Sequence, residues 1–85
     1  MQIFRTERFQ KDARRLPAEV LERLGPALER LVGNPRHPSL RVKKMEGAAD
    51  IWELRVSNNY RVTFQYCEGG VILRCVGTHH TLRHP

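Results

Sequence analysis

The stretch WELRVSNNYRVTF, residues 52–64, decides the fold because it consists of two short strand patterns joined by a turn. Apolar and polar residues alternate strictly in both halves, as in strands with one buried and one open face. The apolar face comprises Trp52, Leu54, Val56, Tyr60, Val62 and Phe64, and the polar face comprises Glu53, Arg55, Arg61 and Thr63. This pattern predicts an antiparallel β-hairpin.

The length of the turn determines which residues face each other across this hairpin. A two-residue turn at 58–59 would set Val56 opposite Arg61 and mix the two faces. A three-residue connection, 57–59, keeps the faces matched, because opposed residues in an antiparallel ladder point to the same side. We therefore predict the three-residue connection, which sets Arg55 directly opposite Arg61.

Two opposed arginines are the first indication of an anion-binding site. Like charges that face each other destabilise a ladder, so the pair predicts an anionic partner between the two guanidinium groups. In the competing interpretation, Glu53 on the same face neutralises the pair on a solvated sheet surface, where exposed ion pairs contribute little to stability. The residues alone leave both interpretations open.

A third strand, 71–78, follows the turn Glu68-Gly69-Gly70. If all three turn residues form the loop, Ile72 and Val76 stay with the apolar face of the hairpin. His79 then continues on the face that carries the arginine pair. We predict this register because it keeps the apolar residues of the three strands together.

The alternative register has a turn of only two residues, 69–70, which reverses the parity of the third strand. Thr78 and His80 would then take the arginine face, so either register brings one histidine to the arginine pair. The preferred register places Arg74 on the core side, where a long side chain can extend its charged end to the sheet edge.

The composition describes a small, basic protein. Its 85 residues predict a single domain, 1–85, with a modest core. No apolar run is long enough to span a bilayer and no signal-peptide pattern is present, so we expect a cytoplasmic protein without a membrane partner. The net charge is +6, and twelve of the fifteen basic residues are arginine. Because arginine binds phosphate bidentately, nucleic acid or an acidic protein is the expected partner.

The remaining patterns complete an α+β fold with the order β-α-α-β-β-β-β. A strand at 1–5 precedes a helix that Thr6 caps and that runs to about Arg15. A second amphipathic helix follows at 17–33, with a kink or local break expected at 25–26, where Pro26 lies mid-helix. A strand at 40–45 leads into the hairpin. We predict two N-terminal helices packed on the apolar face of a twisted, mainly antiparallel sheet, with the polar face left open.

The open polar face would collect several cations, one histidine and one carboxylate. That set suits metal-free phosphoryl transfer on RNA, in which a 2′-hydroxyl attacks the adjacent phosphorus, arginines stabilise the added negative charge, and the departing 5′-oxygen takes a proton. A histidine titrates near neutrality and can exchange that proton. A metal site at His79, His80 and His84 is the weaker interpretation, because adjacent strand residues point to opposite faces.

Several short motifs resemble the RelE/ParE toxin superfamily of bacterial type II toxin–antitoxin systems. The resemblance covers almost the whole chain, and its order and spacing carry more weight than any single motif. Its pieces are Asn34-Pro35, Lys44-Met45-Glu46-Gly47, Trp52-Glu53-Leu54-Arg55-Val56, Tyr60-Arg61-Val62 and Val76-Gly77-Thr78-His79. The last piece is similar to the YafQ-type branch, whose members carry a histidine after Gly-Thr.

In the RelE-type branches the resemblance implies a ribosome-dependent endoribonuclease that cuts mRNA without a metal or other cofactor and that a cognate antitoxin neutralises. By position, Arg61 matches the phosphate-stabilising arginine, Arg55 matches a basic position, and His79 matches an arginine of RelE that is histidine in YafQ. We therefore predict a catalytic set of Arg61, His79, Arg55 and Glu53, and RNA contacts from Lys43, Lys44, His80 and Arg83.

Two departures from the family pattern keep other functions open. Glu53 stands where RelE has a lysine, and Leu82 and Arg83 stand where a catalytic aromatic residue is expected near the C-terminus. A missing aromatic removes a group that can stack on a base. One alternative is therefore a ParE-like inhibitor of DNA gyrase, which binds a protein and needs no catalytic face. The other is a catalytically degenerate toxin that only binds its antitoxin.

Overall fold

The computed structural model describes residues 1–47 and 49–85, with only the backbone at residue 81. The elements are β1 (Gln2–Arg5), α1 (Glu7–Arg14), α2 (Ala18–Gly33), β2 (Val42–Lys44), β3 (Trp52–Arg55), β4 (Arg61–Cys67), β5 (Gly70–Gly77) and a 3₁₀ helix (Thr81–Arg83). The predicted α+β fold and its order of helices and strands are confirmed. Among the described residues, α1 and α2 both fall short of what a bilayer-spanning helix needs in length and hydropathy.

The strands form one mixed sheet with the order β1-β5-β4-β3-β2. β1 runs parallel to β5, and every other neighbouring pair is antiparallel. Between β1 and β2, which form the two edges of the sheet, the chain passes through α1 and α2. The helices therefore carry the chain across one face of the sheet, from one edge to the other.

A single apolar core lies between the helices and that face. The helices contribute Phe9, Leu24, Leu28 and Leu31, and the sheet contributes Leu54, Val62, Phe64, Val71, Leu73 and Val76. Leu54, Val62 and Phe64 are completely buried, as the alternation in the hairpin predicts. Each fully buried Leu, Val or Phe side chain stabilises a fold by about 1.5–3 kcal/mol, so this cluster holds the helices on the sheet.

The second helix is continuous where a kink or break was predicted. α2 extends from Ala18 to Gly33 with Pro26 inside it, so the helix is not broken there, and the kink that was predicted as the other possibility stays a prediction. Pro26 removes one backbone hydrogen bond from the helix. The helix nevertheless continues because buried residues on both sides of the proline, among them Leu24 and Leu28, belong to the core.

The β3–β4 hairpin has the predicted register. Leu54 faces Val62, and Arg55 faces Arg61. Beyond the strands, the Val56 N–H donates to the Tyr60 carbonyl at 3.0 Å, which closes the three-residue connection. The alternation of apolar and polar residues was therefore sufficient to align these two strands.

The β4–β5 hairpin follows the predicted register only at the end distant from its turn. Val62 faces Val76 there, as expected, and Arg61 faces Gly77. Close to the turn, Cys67 pairs with Gly70, so the connection has two residues, 68–69, and the prediction of a three-residue loop is wrong.

A β-bulge reconciles the two ends of this hairpin. Thr63 faces Cys75 but the next residue, Phe64, faces Leu73, which leaves Arg74 as the extra residue. Arg74 therefore does not lie on the core side as predicted. Its Nη1 donates to the Gln65 side chain at 2.6 Å, and its Nε donates to the Pro85 carbonyl at 2.9 Å.

The bulge also exchanges two side chains between the faces of β5. Ile72 was expected in the core, but it lies opposite Gln65 and is only half-buried, whereas Leu73 is fully buried. Near the turn, β1 pairs with β5 so closely that a Cβ atom at Gly70 would collide with the Gln2 carbonyl. Glycine is therefore required at position 70.

In the C-terminal segment, residues 78–85, the 3₁₀ helix contacts β5, and part of the polar face that was expected to be open is buried. Thr63 and Cys75 lie on the side away from the helices, yet both are 0% exposed. Thr63 Oγ1 and Cys75 Sγ share a hydrogen bond of 2.8 Å. Leu82 of the 3₁₀ helix is itself only 8% exposed. The polar face is therefore divided into a covered part at β4–β5 and an open part at β2–β3–β4.

Candidate functional site

A cavity of ≈ 350 Å³ occupies the open part of the polar face. Its lining contains four cationic side chains and one carboxylate. The lining residues are Leu40, Arg41, Val42, Lys43, Glu53, Arg55 and Arg61. We call this cavity the arginine groove. It contains three of the four residues predicted to be catalytic, and it adds a fourth cation, Arg41, that the sequence had not indicated.

Three arginines lie side by side across the groove. Arg55 faces Arg61 in the β3–β4 ladder. The Arg55 N–H also donates to the Arg41 carbonyl at 3.0 Å, which continues the β2–β3 register one residue beyond Val42. Directly opposed residues share a face of the sheet. We call Arg41, Arg55 and Arg61 the arginine row.

The neighbouring row carries the carboxylate of the site. Lys43 faces Glu53, and their side chains form an ion pair with an Nζ–Oε1 distance of 3.4 Å. The Glu53 side chain is 14% exposed and that of Lys43 is 75% exposed. Within the described part of the chain, Glu53 therefore neutralises Lys43 and not the two arginines. Lys44, the next residue on β2, has the opposite parity and does not line the groove.

The β3–β4 turn compensates the charge of Arg61 in another way. Arg61 Nη1 donates to the carbonyl oxygens of Ser57, Asn58 and Tyr60, at 2.7, 3.2 and 3.1 Å. These carbonyl dipoles place partial negative charge beside the guanidinium group and fix its position at the end of the hairpin. Arg55 is exposed instead. The opposed pair is thus asymmetric, with one held arginine and one solvated arginine.

The predicted histidines lie outside the groove. His79 and His80 are exposed in the turn between β5 and the 3₁₀ helix, and Arg83 is exposed at the end of that helix. His79 comes two residues after Gly77, which faces Arg61. The roles of these three residues in catalysis or RNA binding stay predictions. Among the described residues, no group of three or more His, Cys, Asp or Glu side chains is placed to hold a metal ion.

Arg41 is the groove residue that sequence reasoning missed. It lies in the predicted strand 40–45, two residues before Lys43, so the two side chains share a face of that strand. The parity of this strand was therefore available from the sequence. The pairing of β2 with β3 was not, because it depends on the path of the long connection after Lys44.

Solved structures with the same arrangement of helices and strands come from both archaea and bacteria. A chain of the RelB–RelE antitoxin–toxin complex from Methanococcus jannaschii matches with a TM-score of 0.78 and 20% identity, over 96% of this chain and 99% of that chain. This chain has the RelE/ParE toxin fold. The same RelE/ParE fold recurs in the RelBE toxin–antitoxin complex of E. coli, with a TM-score of 0.71 and 26% identity over 89% of this chain and 93% of that chain. The E. coli DinJ–YafQ complex matches with a TM-score of 0.66 and 17% identity, over 95% of this chain and 96% of that chain.

These neighbours support the RelE/ParE toxin superfamily that the sequence motifs predicted. The neighbours themselves are toxins of toxin–antitoxin systems. A scan against protein-family models and a search of curated proteins both find no match. The likeness to the RelE/ParE toxins is therefore carried by the fold, together with the short motifs around the arginine groove.

Proposed function

We propose that this chain is the toxin of a type II toxin–antitoxin system and a ribosome-dependent, metal-independent mRNA endoribonuclease that inhibits translation in the cytoplasm. The observation that carries the proposal is the arginine groove, which presents four cations on an open surface of the RelE/ParE fold. Such a surface complements the phosphate backbone of an RNA strand.

The arginine row would stabilise the transition state of RNA cleavage. The pentavalent phosphorus carries more negative charge than the starting phosphate, and cations positioned beforehand lower the barrier to reaching it. Arg61 meets that condition because the turn carbonyls already hold its guanidinium group. Arg55 lies on the neighbouring strand and can approach the same phosphate without breaking a contact.

We assign a proton step to His79, which lies outside the groove. His79 follows the strand position that faces Arg61, and an imidazole can exchange the proton of the 2′-hydroxyl or of the 5′-oxygen. Glu53 holds Lys43 over the groove and is the carboxylate among the groove residues. We propose further RNA contacts for Lys43 within the groove and for Lys44, His80 and Arg83 outside it.

The proposed protein partner is a cognate antitoxin with an acidic segment. The net charge of +6 and the groove cations favour an acidic ligand. An antitoxin of this kind would block the groove by occupying the positions that RNA phosphates take.

One observation favours a second candidate, a ParE-like inhibitor of DNA gyrase. Leu82, which stands where a catalytic aromatic is expected, is 8% exposed and packed in the C-terminal segment, so it cannot stack on a base. A toxin that acts by binding a protein needs no such group. A degenerate toxin that only binds its antitoxin would show the same feature.

Primer extension on cellular mRNA after induction of this chain tests the proposal. We expect new cuts within translated codons, their loss in Arg61→Ala and Arg55→Ala, and their retention in Arg15→Ala, an exposed arginine on the helical side. Arg55→Ala is included because Arg61 also holds the turn. Growth arrest with intact mRNA, together with inhibition of supercoiling in vitro, would contradict the nuclease and support the gyrase inhibitor. Neither arrest nor cuts would indicate a degenerate toxin.

A further inference from the structure

We propose that Arg41 binds a second phosphate, beside the one at Arg55 and Arg61, so that the arginine groove takes two consecutive phosphates of single-stranded RNA. This inference rests on the proposed function and names a substrate contact within the same site. It follows from the position of Arg41, from its distance to Arg61 and from the distribution of charge in the groove.

The position of Arg41 is set by the pairing of its backbone. Its carbonyl accepts a hydrogen bond from the Arg55 N–H at 3.0 Å, immediately before β2 begins at Val42. This pairing places Arg41 on the same face as Arg55 and Arg61, and its side chain lines the groove. Arg41 is also exposed, so its guanidinium group is accessible to a ligand from solvent.

The two ends of the arginine row, Arg41 and Arg61, are separated by the strand that carries Arg55. Neighbouring strands lie roughly 4.8 Å apart, so two strand spacings place the backbones of Arg41 and Arg61 roughly 10 Å apart. An arginine contacts a phosphate oxygen at about 2.8 Å. The guanidinium group of Arg61 cannot move far towards Arg41, because the turn carbonyls hold it. Arg41 therefore lies where it can contact a phosphate beside the one at Arg55 and Arg61.

The charges of the groove are unevenly compensated. Glu53 offsets the charge of Lys43, and three carbonyl oxygens offset part of the charge of Arg61. In residues 1–47 and 49–85, Arg41 and Arg55 have no carboxylate partner. Like charges side by side in a sheet destabilise it. The repulsion between two uncompensated cations on neighbouring strands is reduced most fully when each cation binds a negative charge.

An RNA strand supplies negative charges in this arrangement. It carries one phosphate per nucleotide along a flexible backbone, and open grooves lined by cations follow such backbones without reading the bases. The groove thus indicates a substrate contact that extends at least one nucleotide beyond the bond that is cut.

The test is a binding measurement on an RNA trinucleotide, which has two phosphates, with a 2′-deoxy sugar at the nucleophilic position to prevent cleavage. Each phosphate is replaced in turn by a neutral methylphosphonate. Wild-type protein, Arg41→Gln and the control Arg15→Gln are titrated by NMR at low salt, where the amide spectrum also confirms the fold.

One of the two methylphosphonate RNAs should bind wild type and Arg15→Gln about threefold more weakly than the unmodified RNA does. Arg41→Gln should bind that modified RNA almost as tightly as it binds the unmodified RNA. The slope of log K against log salt for the unmodified RNA should also fall by roughly 0.7 in Arg41→Gln. Equal losses in wild type and Arg41→Gln for both methylphosphonates would overturn this inference. If Arg61→Gln binds the unmodified RNA as tightly as wild type, both the inference and the proposed nuclease site fail.

Discussion

The two hairpins that share β4 differ in how their strands are aligned. The β3–β4 hairpin is regular, and its register follows from the alternation of apolar and polar residues. The β4–β5 hairpin changes register at Thr63/Phe64, with Arg74 as the extra residue. Alternation therefore predicts a register only while both strands stay regular, because a single inserted residue exchanges the two faces.

The bulge combines two pairings that a regular hairpin could not have together. At the turn, Gly70 pairs with Cys67, and β1 lies so close that position 70 must be glycine. At the far end, Val76 must face Val62 to stay in the core. One extra residue between these points allows both pairings. It also brings Cys75 opposite Thr63, under the C-terminal segment.

The largest expected effect comes from a substitution at the turn of the β4–β5 hairpin. Gly70→Ala should lower the free energy of unfolding by about 3 kcal/mol or prevent folding, because the new methyl group would collide with backbone and not with a flexible side chain. Urea unfolding measures the loss. Gly25→Ala is the matched control, since a methyl group at that position in α2 meets no atom within 4 Å and should stabilise the helix by about 0.5–1 kcal/mol. Equal stabilities of the two variants would refute the close pairing of β1 with β5.

The second-largest effect is expected at Leu82, and it tests whether the C-terminal segment protects the polar face of the β4–β5 hairpin. Leu82→Ala should cost about 2 kcal/mol, because it removes a buried side chain that anchors the C-terminal segment. The same change is also made in a Cys67→Ser background, which removes the other thiol. In the absence of urea, the buried Cys75 thiol should then react faster with a thiol reagent than it does in the protein with Cys67→Ser alone. Unchanged protection of Cys75 would show that the segment is held by other contacts, such as the one from Arg74 to Pro85.

A smaller effect concerns the regular hairpin. Arg61→Gln should lower the free energy of unfolding by about 1 kcal/mol, because it removes the charged donor that three turn carbonyls share. Thermal unfolding of the purified variant checks this value. A more stable variant would mean that repulsion from Arg55 outweighs the contacts to the turn.

The smallest effect has the opposite sign. Arg55→Gln should stabilise the chain by about 0.3 kcal/mol at low salt, because Arg55 is exposed and directly faces another arginine. The gain should disappear at high salt, which screens exposed charges. Comparison with Arg61→Gln in the same buffers would establish the asymmetry of the pair, and a destabilised Arg55→Gln at low salt would contradict it.

Sequence alone determined the features that depend on short-range patterns. These are the order of helices and strands, the buried face of the β3–β4 hairpin and the opposition of Arg55 and Arg61, all of which follow from alternation and turn length. The hairpin also contains two of the motifs that resemble RelE/ParE toxins, at residues 52–56 and 60–62, and the fold comparison supports that superfamily.

Only the tertiary structure decided the features that depend on contacts between distant segments. The inclusion of Arg41 in the groove depends on how β2 pairs with β3, and the bulge at Arg74 lies in β5, whose other neighbour in the sheet is β1, far away in the sequence. The burial of Thr63 on the polar face is of the same kind. Local periodicity describes which face a residue takes within a strand, but pairing partners are selected by the packing of the whole sheet.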